Sequence, residues 1–186
     1  MYSKLSAFIL YKLWGWKCTG KYPHEVKKLV LIVAPHTSNW DFPVGVLVRS
    51  AEQIDAYFVG KHTIFFWPLG GFIKRFLRGI PVDRRTKGNF VDATAALFDT
   101  RDYLHIVIAP EGTRSLVSKF KTGFYYTAKA ANVPIALCKF DWEHKEVYFD
   151  PQLFYPTDDE KADMAYLWNY YVGVKGYNPE KGIHSL

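Results

Sequence analysis

The sequence predicts an α/β fold, a single layered domain with a largely parallel central sheet flanked by helices. Apolar runs of strand length alternate along the chain with segments of helical periodicity, as repeated strand-helix-strand units require. Two of those runs, Leu29-Val30-Leu31-Ile32-Val33 and His105-Ile106-Val107-Ile108-Ala109, lead into polar turns rich in reactive side chains. The turns are Ala34-Pro35-His36-Thr37-Ser38-Asn39-Trp40-Asp41 and Glu111-Gly112-Thr113-Arg114-Ser115. Such a pair points to one site at the carboxyl edge of a sheet. The length of 186 residues suits one hydrophobic core and is short for two.

Taken in order, Leu5, Phe8, Ile9, Leu13 and Trp16 trace a helical stripe over 3–16. Tyr2, Leu10, Tyr11 and Trp14 widen it, and Lys4, Lys12 and Lys17 are interspersed. Lys12 breaks the apolar run and no small-residue cleavage site follows, so the segment does not read as a signal peptide. It is also shorter than the ~20 apolar residues of a membrane span. Two placements stay open for residues 1–17, as an amphipathic helix in a membrane surface or as a helix packed on the domain formed by 18–186. A strand follows at 28–34, then a helix from about Ser38 to Gln53, with Thr37 or Ser38 as its cap. Ala56-Tyr57-Phe58-Val59 reads as a strand, 70–77 as a short helix, and Ile80-Pro81-Val82 as a strand. A helix across Asn89 to Thr100 shares Phe90, Ala93, Leu97 and Phe98 on one face. The rest reads as strand 105–109, helix 122–131, strand 133–139, strand Glu146 to Phe149 and helix 158–172.

The 49% hydrophobic and 23% charged residues are those of a globular protein. Aromatic residues reach 18% and gather at the N-terminus and in 63–73, a segment that Pro68, Gly70 and Gly71 interrupt. That segment runs into Lys74, Arg75, Arg78, Arg84, Arg85 and Lys87, opposed only by Asp83, and much of the net charge of +6 sits there. An anionic lipid, a phosphorylated acceptor, or an acidic carrier or coenzyme would be attracted to it. Nucleic acid is not an expected partner, because no helix-turn-helix, zinc-finger or RNP-type pattern occurs. Cys18 and Cys138 are far apart in sequence, fit no CxxC or zinc spacing, and read as reduced, buried or incidental thiols of a cytoplasmic protein.

Four blocks of the sequence together resemble the phospholipid and glycerol acyltransferase family. His36 and Asp41 match its His-x4-Asp block, and Gly79-Ile80-Pro81-Val82-Asp83-Arg84 resembles the second. Glu111-Gly112-Thr113-Arg114-Ser115 matches the third, and Val133-Pro134-Ile135 the fourth, a buried strand with a proline. Pro35 stands where many members carry asparagine, and the second block lacks the aromatic residue often found before its acidic-arginine pair. The resemblance implies transfer of a fatty acyl group from a thioester to a free hydroxyl of a lysophospholipid. It implies no permanently bound cofactor, with acyl-CoA or acyl-carrier protein as donor. The leading acceptor is 1-acylglycerol-3-phosphate, which would become phosphatidic acid. A different lysolipid, such as a lyso-aminolipid, is the alternative, and a non-catalytic membrane- or lipid-binding module is a reading of another class. Attachment is expected at the inner face of the cell membrane, from the cytoplasmic side.

The chemistry needs a base for the hydroxyl and stabilisation of an oxyanion, since a thiol with a pKa of ~8.5 departs readily as thiolate. His36 would be the base, with Asp41 fixing its tautomer and stabilising the imidazolium. Arg84 and Arg114 would grip the acceptor phosphate through forked donors. Gly112 would admit backbone close to the ligand, and Thr113 and Ser115 would add hydroxyls. Glu111 would accept from a glycerol hydroxyl or pair with an arginine. No Gly-x-Ser-x-Gly elbow of a serine hydrolase is present, and His36 with Asp41 offers too few ligands for a metal. The other five histidines, His24, His62, His105, His144 and His184, read as structural or exposed.

Overall fold

The computed structural model describes residues 2–61, 78–82 and 87–185. Within them the order is α1 (Tyr2–Ala7) running into a π-helical turn (Phe8–Leu13), β1 (Lys17–Gly20), β2 (Lys28–Ala34), α2 (Asp41–Ala51), β3 (Ala56–Lys61) and β4 (Gly79–Val82). There follow α3 (Lys87–Asp99), β5 (Leu104–Ile108), α4 (Gly123–Ala130), β6 (Ile135–Asp141), β7 (Glu146–Phe149), α5 (Glu160–Tyr171) and a 3-10 turn at Pro179–Lys181. The described strands form one seven-stranded sheet in the order β1-β7-β6-β2-β5-β3-β4. Every pairing is parallel except the β6–β7 hairpin.

β2 lies at the centre because its apolar residues serve two cores at once. Leu29 and Leu31 pack with Ala136 and Cys138 of β6 against Val44 and Val48 of α2, Leu10 and Trp16. Val30 and Ile32 join Phe98 of α3, Phe124 and Tyr125 of α4 and Leu167 and Tyr171 of α5. Alternation along one strand thus supports helices on both faces, the three-layer solution for a mostly parallel sheet. The buried Tyr171 ties the second core to the sheet, since its hydroxyl donates to the Ile32 carbonyl at 3.1 Å and accepts from the Cys138 N–H at 3.2 Å.

The N-terminal stripe divides between core and solvent. Leu10 is buried, Ser6 Oγ donates to Ser50 Oγ at 2.9 Å, and Tyr11 donates to Glu52, so one face packs on α2. Leu5, Phe8 and Leu13 point outward, beside exposed Lys4, Lys12 and Lys17. Trp16 stacks edge-on against Trp142. Among the described residues no helix is long and apolar enough to cross a membrane.

Two sequence expectations need correction, and one strand was missed. The fourth block is not a strand throughout. Val133 donates to Ala128 at the end of α4, and β6 begins only at Ile135, because a proline N cannot donate into a central ladder. The helix expected from Ser38 starts at Asp41, for a reason found in the site. β1 was not legible, because four residues without an apolar alternation give no local signal. It forms by pairing with β7, Lys17 opposite Glu146, and the two side chains meet at 3.0 Å. The helix expected at 70–77, the apolar segment 63–73 and most of the basic run lie outside the described residues.

Candidate active site

β2 and β5 are parallel neighbours, with Ile32 opposite Ile108. His36 follows the end of β2 by two residues and Glu111 that of β5 by three, so the sheet delivers both turns to one edge. They are joined there, since the His36 backbone N–H donates to Glu111 Oε1 at 2.7 Å. The two chemically capable turns of the sequence are therefore two walls of one site.

His36 Nδ1 lies 2.9 Å from Asp41 Oδ2. A carboxylate only accepts, so Nδ1 carries a proton, and in the neutral imidazole Nε2 is then the nitrogen with the free lone pair. The imidazole is about a quarter exposed, whereas the Asp41 carboxylate is nearly buried, at 26% and 5% of their side-chain surfaces. Asp41 Oδ2 also accepts the Ser38 N–H at 2.9 Å, and Oδ1 accepts the Trp142 indole N–H at 2.7 Å. This explains the later start of α2. Asp41 is the first helical residue and its own carboxylate folds back onto the preceding turn, so neither Thr37 nor Ser38 supplies a side-chain cap to the helix. Ser38 Oγ instead accepts the Trp40 N–H at 3.2 Å, and Thr37 Oγ1 accepts the Asn178 N–H at 3.0 Å.

Glu111 is 3% exposed. Burial pushes its carboxyl up to about 7, against the lowering effect of the His36 N–H. Its Oε2 has no hydrogen-bond partner among the described residues. Gly112 follows at φ +65°, a left-handed conformation natural to glycine, and a Cβ there would stand 2.9 Å from the Lys121 stem. Thr113 Oγ1 accepts the Ser115 N–H at 3.3 Å, closing a small turn that leaves Arg114 and Ser115 exposed.

His36, Asp41 and Glu111 through Ser115 line one cleft of about 2530 Å³. This exceeds the ~300–1,000 Å³ of an ordinary small-molecule site. One wall is apolar, with Val33, Phe42, Phe58 and Val107, while Arg114, Lys119, Lys121 and Lys181 place cations along it. Trp40, Phe42 and Leu116, which flank the two turns, are exposed. An apolar wall and a set of cations thus lie beside a histidine whose free nitrogen can take a proton.

Of the site residues expected from sequence, all but one meet here. The exception, Arg84, lies outside the described residues. Trp142 and Asn178 were missed, being 101 and 141 residues from their partners with no motif around them. His105 is structural. It is buried, with Nε2 2.6 Å from the Val26 carbonyl and Nδ1 2.5 Å from the Tyr22 hydroxyl. Asp141, Glu143 and His144 approach one another at the β6–β7 turn, but Asp141 already accepts both following N–H groups there.

An acyltransferase family model matches residues 16–138. The chain is 31% identical over 133 residues to a 1-acyl-sn-glycerol-3-phosphate acyltransferase of Haemophilus influenzae, covering 68% of this chain and 54% of that protein. It is 29% identical over 130 residues to the protein of the same name from Escherichia coli, covering 66% and 52%. The chain therefore spans about half the length of the curated relatives it matches. In fold it is similar to the crystal structure of a 1-acyl-sn-glycerophosphate acyltransferase from Thermotoga maritima. The TM-score is 0.59 at 17% identity, over 91% of this chain and 75% of that one.

Proposed function

The chain belongs to the acyltransferase family, and from that premise we propose that it is an O-acyltransferase in which His36 is the general base. It would move a fatty acyl group from a thioester, acyl-CoA or acyl-carrier protein, to the free hydroxyl of a lysophospholipid. The acceptor we favour is 1-acylglycerol-3-phosphate, giving phosphatidic acid. The observation that carries the proposal is the His36 Nδ1 to Asp41 Oδ2 bond of 2.9 Å, with the Glu111-to-Ser115 turn held against the same histidine. His36 Nε2 takes the acceptor proton as its oxygen attacks the thioester carbonyl. The tetrahedral intermediate collapses with departure of the thiolate, which then accepts the proton from the imidazolium. Asp41 stabilises that imidazolium throughout.

Arg114, and Arg84 two residues beyond β4, would hold the acceptor phosphate, with Gly112, Thr113 and Ser115 shaping the turn. Glu111 would accept from an acceptor hydroxyl or pair with one of these arginines. A long-chain acceptor resides in a bilayer, so the protein would meet it from the surface. Outward Leu5, Phe8 and Leu13 with neighbouring lysines support that reading, as do exposed Trp40 and Phe42 beside the site. The testing experiment crosses acyl-CoA and acyl-carrier donors with 1-acylglycerol-3-phosphate and a lyso-aminolipid, with His36→Ala as control. Transfer to the phosphorylated acceptor that His36→Ala abolishes is expected. Transfer that survives His36→Ala would overturn the mechanism.

A further inference from the structure

We infer that Trp142 is a positioning residue for the base, acting through Asp41, and that the chain segment 175–178 holds it in place. The inference rests on the proposed roles of His36 and Asp41. Asp41 has one oxygen engaged by His36 and the Ser38 N–H, while the other takes, among the described residues, a single side-chain donor, the Trp142 indole, at 2.7 Å. A carboxylate anchored at one oxygen alone can swing about its Cβ–Cγ bond. Anchored at both, it presents Oδ2 to Nδ1 in one orientation, keeping the proton on Nδ1 and the lone pair on Nε2. Asp41 is 6% exposed, so water is a poor substitute for the indole.

The indole is itself clamped. It stands edge-on to Trp16 and to Tyr177, each at 4.8 Å between ring centres, and the Trp142 backbone N–H donates to the Lys175 carbonyl at 2.8 Å. The same segment grips the histidine's neighbour. Asn178 donates its backbone N–H to Thr37 Oγ1 at 3.0 Å and its side-chain N–H to the Thr37 carbonyl at 2.7 Å. A Cβ at Gly176 would lie 2.5 Å from Thr37 Oγ1, so the approach requires glycine. Trp142 and residues 175–178 all lie beyond the segment that the family model matches, 16–138. The turn that carries the base is thus buttressed by parts of the chain that its motif does not contain.

The test measures kcat and both KM values for the wild type, Trp142→Phe, Asp41→Ala and the double variant, with His36→Ala alongside. Phenylalanine keeps a ring between Trp16 and Tyr177 and removes only the donor and part of the indole. Trp142→Phe is expected to lower kcat about tenfold or more, the worth of a hydrogen bond to an ionised group, with both KM values within about twofold. In the Asp41→Ala background the same change is expected to cost nothing further, because no carboxylate remains to be oriented. Multiplying penalties would show a general structural effect and overturn the inference, as would an unchanged kcat in Trp142→Phe. If His36→Ala retains turnover, the underlying mechanism fails instead, and the two failures are distinguishable.

Discussion

Replacing Glu111 with glutamine should stabilise the protein at alkaline pH and leave its stability almost unchanged at acidic pH. The native carboxyl is 3% exposed, with Oε2 unpartnered among the described residues, and burial raises it from an ordinary 4.5 to about 7. Below pH 4.5 the group is protonated folded and unfolded alike and contributes no pH dependence. Between 4.5 and 7 the unfolded chain releases its proton while the native state holds it, so stability falls as pH rises and then levels off. A rise of 2.5 pH units (7 − 4.5), at 1.36 kcal/mol each, places that plateau ~3 kcal/mol below the acidic limit. The glutamine amide keeps an oxygen for the His36 N–H and never ionises. At about pH 8 the variant should therefore exceed the wild type by ~3 kcal/mol, or roughly 6–12 °C in Tm for a chain of this size. Near pH 5 the difference should shrink below ~1 kcal/mol. Urea unfolding at a series of pH values from about 5 to about 8.5 measures it. Parallel stability curves for the two proteins, or a variant less stable on the alkaline side, would refute the argument that an unsatisfied buried carboxylate is being held against its solvation. The same substitution should impair acyl transfer if Glu111 meets an acceptor hydroxyl, a stabilising change that costs function.

Asp41→Asn should lower kcat by ~10²-fold or more while the native circular dichroism persists, because an amide can present a donor to Nδ1 and select the wrong tautomer. Steady-state kinetics with near-normal kcat would count against Asp41 as the orienting group. Arg114 is exposed, so Arg114→Ala should leave Tm within about 1 °C, raise KM for a phosphorylated acceptor about tenfold, and spare donor KM. An unchanged acceptor KM would point to an acceptor without phosphate. Binding to anionic vesicles should exceed binding to neutral ones and weaken with salt, each surface lysine contributing ~1 kcal/mol. Changing Leu5, Phe8 and Leu13 together to glutamine should reduce it without unfolding the protein, since the buried anchor of that helix is Leu10. Equal sedimentation with both vesicle types would remove the electrostatic part of that reading.

The sequence by itself determined what depends on near neighbours. Continuous apolar runs placed β2 and β5 in a sheet interior, helical periodicity placed α3, and the close spacing of His36 and Asp41 put them in one turn. The meeting of that turn with Glu111 was also legible, because parallel strands send all their following loops to the same edge. The tertiary structure decided what depends on residues far apart in the chain. Four residues at Lys17–Gly20 carry no strand signal and become β1 only against β7. The N-terminal stripe could not say which side faces inward until α2 took Leu10 and left Phe8 to solvent. Asp41 looked like a residue inside a capped helix, and is instead its first residue, held by an indole from 101 positions away. Local pattern reports propensity and periodicity. Which donor completes a buried carboxylate is set by the crossing of distant segments, and no spacing in the sequence encodes it.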